Sequence, residues 1–153
     1  MLTNYLSTLI QTVYAKQPWY GKGVLESLNK ILEERWHEPL GHRTIANLVG
    51  HIIAWRNFAI ARLDGRTDFG IEMHTEEDWP DCLGLTKATL LQQLADTQTA
   101  LLSTLASLED ADLETTVPSQ YSYNRGDLAL GIMQHDVYHM GQINLLISLL
   151  NKK

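Results

Sequence analysis

His135 and His139 stand four residues apart in the run Gln134-His135-Asp136-Val137-Tyr138-His139-Met140-Gly141-Gln142. Four residues of α-helix turn the chain through about 400°, so both imidazoles share one face about a turn apart, within reach of one metal ion. The run from Gly126 to Leu150 is apolar with a helical period. Leu128, Ile132, His135, His139, Ile143, Leu146 and Leu150 recur at spacings of three and four, the signature of a core-facing seam. Imidazoles in such a seam need partners, because a buried polar group without a hydrogen bond or a ligand is costly. A backbone carbonyl would satisfy one ring; a shared cation would satisfy both.

A third imidazole comes from a different segment. Thr44 is a natural N-cap for a helix that starts at Ile45 and runs through Leu48, Ile52, Trp55, Ala59 and Leu63 before Asp64-Gly65 ends it. His51 lies three residues after Leu48 and four before Trp55, and so shares their inward face. His51, His135 and His139 together form a set able to coordinate one divalent ion. Zinc on three protein nitrogens keeps a position for water or substrate, which is the catalytic arrangement rather than the closed structural one. Nickel, cobalt and iron(II) accept imidazole as well. An ion so held lowers the pKa of its water or of a substrate thiol, or polarises a carbonyl.

The remaining elements must position these rings. Leu2, Tyr5, Leu6, Leu9, Val13 and Tyr14 predict a first amphipathic helix that stops before Pro18. Val24, Leu25, Leu28, Ile31 and Leu32 predict a second run ending before Pro39, either a kinked continuation of the first or a separate helix. Residues 37–43 read as a loop. From Gly65 to Leu85 there is no sustained period, and a connection that long in a helical bundle is often functional. Phe69 and Trp79 within it are expected to pack back as anchors. Thr86 caps a helix carrying Leu90, Leu94, Leu101, Leu105 and Leu108. Thr115 to Ser122, with Pro118, is a linker. Asn124 and Asp127 form a capping pair for the last helix, and Lys152 and Lys153 suit its negative end. No strand-like alternation, repeat or low-complexity tract is present. The expected fold is all-α: a single domain over 1–153, a four-helix bundle whose long loop between helices two and three permits a crossover.

Composition narrows the function classes. Hydrophobic residues make up 44% and charged residues 20% of the 153, as in ordinary globular proteins. A net charge of −6 with no basic run argues against nucleic acid and anionic membranes as partners. The one cysteine, Cys82, rules out an intramolecular disulfide and a thiolate-rich zinc site, and nothing in the sequence marks it as a nucleophile. Met1 to Ile10 lack the features of a signal peptide, and no segment reaches the ~18 uninterrupted apolar residues of a membrane span, so the chain reads as cytoplasmic.

The segments Gln17-Pro18-Trp19-Tyr20-Gly21, His51-Ile52-Ile53-Ala54-Trp55-Arg56, Asp78-Trp79-Pro80 and His135-Asp136-Val137-Tyr138-His139-Met140-Gly141-Gln142-Ile143 occur in this order over nearly the whole chain. They resemble the DinB superfamily, the last segment most specifically. The resemblance implies a DinB/YfiT-like four-helix bundle with one divalent ion, commonly zinc or nickel, on three histidines. The matching positions are His51, His135 and His139. It further implies a homodimer, and an activity among thiol-dependent transferases and isomerases, which use bacillithiol, mycothiol or glutathione, or among metal-dependent hydrolases.

The expected function is therefore activation of a thiol or water for transfer to, or hydrolysis of, a small electrophile. The alternative is a non-catalytic, metal-stabilised homodimeric binding protein. Gln142 and Asp136 are the candidates to assist the chemistry or orient the ligand rings. Gln142 lies three residues beyond His139 and faces the pocket; Asp136, about 100° away from the ligand face, could equally form an ion pair between helices. Trp55 walls the site. Tyr138 is read as packing or dimer contact, and His37, His42 and His74 as solvent-exposed loop residues.

Overall fold

Three helices begin on the side chains that the sequence offers as caps. The computed structural model describes residues 1–39, 41–119 and 121–151. Leu40 of the first loop, Gln120 of the linker, and Lys152 and Lys153 at the end of the last helix lie outside the described residues. The Asn47 amide donates to the Thr44 hydroxyl at 3.1 Å, opening α3 (Ile45–Leu63). The Thr89 amide donates to the Thr86 hydroxyl at 3.1 Å, opening α4 (Lys87–Ala106). The Asp127 amide donates to Asn124 Oδ1 at 2.8 Å, and Asp127 Oδ2 accepts from the Asn124 amide at 3.1 Å, opening α5 (Arg125–Leu150). Each bond satisfies an N–H that has no partner within its own helix. Gly65, at φ +77°, closes α3 in the left-handed conformation that glycine adopts without strain.

The N-terminal runs form two helices, α1 (Leu2–Ala15) and α2 (Val24–Asn29), rather than one kinked helix. The second run is shorter than its periodicity predicts. Lys87 Nζ donates to the carbonyls of Asn29 and Ile31 at 3.1 and 2.6 Å, taking acceptors that a continuing helix would use, and only a 3-10 turn at Glu33–Arg35 follows. At the other end of α1, Asp110 accepts the amides of Leu2 and Thr3 at 2.8 and 3.0 Å, a cap supplied from across the sequence.

Two apolar clusters fix how the helices run. One gathers Val13, Val24, Leu28, Leu48, Ile52, Leu90, Leu94, Met140 and Ile143. The other gathers Leu6, Ile10, Ala59, Leu63, Leu101, Leu105, Ala129 and Ile132. Along α3 and α4 the chain passes from the first cluster to the second; along α1 and α5 it passes from the second to the first. Helices α3 and α4 thus run parallel, and the connection over residues 64–86 must carry the chain back along the bundle. The crossover that the long loop permits is the one adopted. Among the described residues there is no strand, only an isolated bridge between Thr116 and Asn124.

Between the clusters lies a polar belt to which four helices contribute. Arg56 of α3 donates from Nη2 and Nε to Asp136 Oδ2 of α5 at 2.7 and 3.0 Å, and from Nη1 to Thr97 of α4 at 3.4 Å. Its guanidinium lies 5.1 Å from the Tyr14 ring centroid of α1. Arg56 and Asp136 are 0% and 2% exposed, so neither charge has water to fall back on. The buried seam of α5 is accordingly rotated from its expected position. Ala129, Ile132, Asp136, His139, Met140, Ile143 and Leu150 are buried, whereas Leu128, His135 and Leu146 are half-buried, because α5 packs on α1 and α2 as well as α3. We predict that Asp136→Ala lowers the free energy of unfolding by about 3–5 kcal/mol, since it strands the guanidinium, and that Arg56→Met with Asp136→Leu recovers most of the loss in the same denaturant titration.

Candidate metal centre

α3 and α5 bring His51, His135 and His139 together, with one ring nitrogen from each lying within 4.8 Å of the others. His135 Nε2 is 3.1 Å from His51 Nε2 and 3.1 Å from His139 Nε2. The outward nitrogens decide the tautomers. His51 Nδ1 donates to the Asp78 carbonyl at 2.7 Å, and His139 Nδ1 donates to Gln142 Oε1 at 2.7 Å. A carbonyl oxygen only accepts, so both Nδ1 atoms carry protons and both neutral rings turn a bare lone pair inward.

The rings are held neutral. Burial lowers the pKa of His51 and of His139; it takes His135 down to about 3, helped by the charge that His139 and His51 would carry. A neutral His135 has one ring proton. Donated from Nε2, it can serve one of the two 3.1 Å contacts well, and the other is then left with no proton between its nitrogens. A cation among the three nitrogens removes that conflict. Two nitrogens each ~2.0–2.1 Å from one zinc ion would themselves stand a little over roughly 3 Å apart, so the donor set and its spacing fit a divalent ion. His135 Nδ1 is buried with no hydrogen-bond partner, the one ring whose outer nitrogen is not anchored.

The long connection builds the outer wall of the site. Asp78, 3% exposed, gives its carbonyl to His51 and its carboxylate to the Trp55 indole at 2.8 Å and the His74 amide at 2.9 Å; Oδ1 also lies 3.1 Å from His51 Nδ1. Burial pushes the Asp78 carboxyl up, but the His74 amide, the Trp55 indole and His51 together hold it below its ordinary value. His74 takes φ +67° at the position where its amide meets that carboxylate. Trp79 stacks on His51 with centroids 3.9 Å apart and planes 10° from parallel, and the Arg43 guanidinium lies 4.0 Å from the Trp79 ring centroid. The loop reaches this place because Gly50 has no side chain. A Cβ there would stand 2.5 Å from Cys82 Sγ. Cys82 itself is buried in the core beside it, and burial raises its thiol pKa, so it packs rather than attacks.

The remaining sequence expectations separate cleanly. Trp55 stands 6.0 Å from His135, ring to ring, and the two share the wall of a cavity of about 340 Å³. Gln142 holds His139. Asp136 is placed with Arg56 and makes no contact with the imidazoles, which is the ion-pair alternative for that residue. Tyr138 is 64% exposed, with its ring edge-on to His139. His42 and His74 are exposed as expected. His37 is not: it is half-buried and its Nε2 donates to the Leu85 carbonyl at 2.8 Å, tying the end of the long connection to the loop before α3. Asp78 had no assigned role in the sequence, and Trp79 was expected to anchor the loop in preference to contacting a substrate. Their one sequence signal is Asp78-Trp79-Pro80, an acid and an aromatic side by side in an otherwise polar loop.

An all-helical bundle with three core imidazoles converging beside a cavity defines a class of helical protein whose interior could hold a metal ion. The sequence profile of the DinB superfamily matches residues 22–143, and the chain belongs to that superfamily. Its fold is similar to that of the colibactin self-resistance protein ClbS, solved in complex with a dsDNA, at 18% identity and a TM-score of 0.66 over 96% of this chain and 92% of that one. It is also similar to a conserved protein from Enterococcus faecalis, at 14% identity and a TM-score of 0.67 over 99% of this chain and 94% of that one. Comparison with the curated proteins finds no match.

The ClbS complex corrects the expectation that excluded nucleic acid. That exclusion rested on a net charge of −6, which is a sum over the whole chain. Screening confines the influence of an exposed charge to about 8–10 Å, so a local patch and not the total governs contact with a duplex. No described helix is long and apolar enough to cross a membrane. For the imidazole set, we predict that Gln142→Leu weakens metal binding about 10–100-fold by releasing the His139 ring, with helical content unchanged; competition with a chromophoric chelator measures it.

Proposed function

We propose that this chain is a metal-dependent enzyme in which His51, His135 and His139 hold one divalent ion, zinc or nickel, and that it activates a thiol or water toward a small electrophilic substrate. The observation that carries the reading is the convergence of three neutral imidazole nitrogens beside an accessible cavity. When bound, such an ion supplies Lewis acidity and makes a thiol or water nucleophilic near neutral pH. The protein's own part is positional. The Asp78 carbonyl and Gln142 fix two rings in the tautomer that ligates, and Trp79 covers the back of His51. Trp55, held by its indole N–H to Asp78, walls the side on which a substrate approaches His135.

Protein purified without chelator or nickel resin is expected to carry about one divalent ion per chain, and His51→Ala and His135→Ala far less, by elemental analysis. A screen of thiols against model electrophiles, and of esters and amides, is expected to find turnover that disappears in His135→Ala. Turnover unchanged in that variant would overturn the assignment. Metal-dependent melting with no turnover would leave a metal-stabilised binding protein.

A second reading, that the chain binds duplex DNA, draws on the likeness to ClbS and on one stretch of surface. The connection between α1 and α2 carries exposed Lys16 and Lys22 around Trp19, 101% exposed, and Tyr20, 53% exposed, and has no carboxylate from Lys16 to Gly23. Lysines there suit the phosphates of a duplex. On this reading a fluorescein-labelled duplex binds at about 50 mM salt and is released as salt rises, and Lys16→Ala with Lys22→Ala reduces the salt slope by about 2. Anisotropy that does not change with protein concentration at low salt removes it.

A further inference from the structure

The cavity beside His135 has a chemical character that the reading above leaves unspecified. Its lining comes from three segments: Trp55 and Phe58 of α3, Ile71 and Met73 of the long connection, and Tyr121, Tyr123 and the first turns of α5 from the other side. Among the described residues that line it there is no Lys, Arg, Asp or Glu. A shallower cavity that shares Tyr123, Leu128 and Gly131 adds a single charged side chain, Asp127, and that charge is negative. An anionic ligand would therefore lose its hydration, find no counter-charge among the lining side chains and meet a carboxylate at the mouth, leaving an ion on the imidazoles as its one attraction. At about 340 Å³ the space lies at the small end of the range for ligand pockets, enough for one substituted ring rather than a large cofactor.

Gly131 makes the space. It lies four residues before His135 on α5, so its missing side chain falls on the same helical face as the imidazole. A Cβ built at Gly131 meets nothing within 4 Å, so no neighbouring atom demands a glycine there. Glycine within a helix costs backbone entropy that alanine does not. What the position provides in return is an opening that leads to His135. At the rim, Met73 and Tyr121 are 55% and 65% exposed, apolar groups that a bound ring would cover.

We propose that this cavity is the subsite for an uncharged, aromatic or similarly apolar portion of the substrate, and that Gly131 sets its depth. The proposal rests on the metal-enzyme reading for what happens to the substrate, but binding is separable from reaction. The pocket side chains other than His135 lie outside the imidazole set, and His51 lines none of it.

The test uses para-nitrobenzyl alcohol and para-nitrobenzoate, the same ring without and with a charge, titrated by calorimetry and by amide chemical shifts. The neutral ring is expected to bind the parent and to shift the Gly131 amide, and in the His51→Ala protein, which lacks the metal, the anion is expected to bind at least about tenfold more weakly than the neutral ring. Gly131→Leu is expected to reduce binding of the neutral ring at least about tenfold while keeping its melting temperature and metal content, with Gly131→Ala intermediate. His51→Ala is expected to keep binding of the ring while losing metal. Equal binding of the two probes by His51→Ala, no binding of the neutral ring by the parent, or full binding by a folded Gly131→Leu would overturn the proposal. Binding that follows this pattern in a protein with no turnover would keep the pocket and overturn the metal-enzyme reading instead.

Discussion

The Arg56–Asp136 pair is the constraint on which the geometry of the protein depends. Two charges at the centre of a bundle surrender nearly all their hydration, and their mutual attraction does little more than offset that loss. What the pair supplies is register. The apolar clusters on either side are made of leucines, isoleucines and alanines that could interdigitate in more than one way. A single guanidinium and a single carboxylate at 2.7 Å cannot. If α5 slipped by one residue, its side chains would turn by about 100° and Asp136 would leave Arg56 stranded. Tyr14 and Thr97, packed on the same guanidinium, extend the constraint to α1 and α4.

The imidazole set inherits this register. His135 adjoins Asp136 and His139 lies three residues past it, while His51 lies five residues before Arg56. With the ion pair fixed, the three rings have little choice but to face one another. Their protonation is settled separately, by what their outer nitrogens meet. An oxygen acceptor on Nδ1 of His51 and of His139 removes the tautomer that could relieve the crowding, and burial removes the imidazolium. The helices thus set position and the acceptors set electronic state. Neither alone makes a ligand set.

Local signals were legible in the sequence and non-local ones were not. Thr44, Thr86 and Asn124 with Asp127 cap their helices as their types and positions imply, because a cap is a matter of a few neighbouring residues. The periodicity of α5 put His135 and His139 on one face, but it described a helix with a single neighbour. Burial by α1 and α2 as well as α3 moved the seam toward Asp136, whose partner lies 80 residues away in the chain. The second run was cut short by Lys87, again from a distant helix. Asp78 illustrates the same limit within the site. Much of its role is played by a backbone carbonyl, which no side-chain pattern advertises. Net charge failed for the opposite reason, since it averages over the surface on which a patch such as Lys16 to Lys22 would act.

The topology explains why the outer wall of the site lies in a loop. Parallel neighbours cannot be joined by a short turn, so between α3 and α4 the chain has to travel back along the bundle. That return path passes the N-terminal half of α3, where His51 sits and Gly50 lets the chain approach closely. A segment required by connectivity is thereby placed against the one imidazole that α5 cannot support, and it delivers a carbonyl to the ring's outer nitrogen and an indole to its face. The positive φ of His74 is consistent with this assignment. A merely connecting loop could relax that residue, whereas here the strained amide is bound to the Asp78 carboxylate, which also holds Trp55 at the cavity wall. One acid in the return loop thus couples the orientation of the His51 ring to the shape of the adjoining pocket. A change at Asp78 should therefore alter the orientation of His51 and the position of Trp55 together.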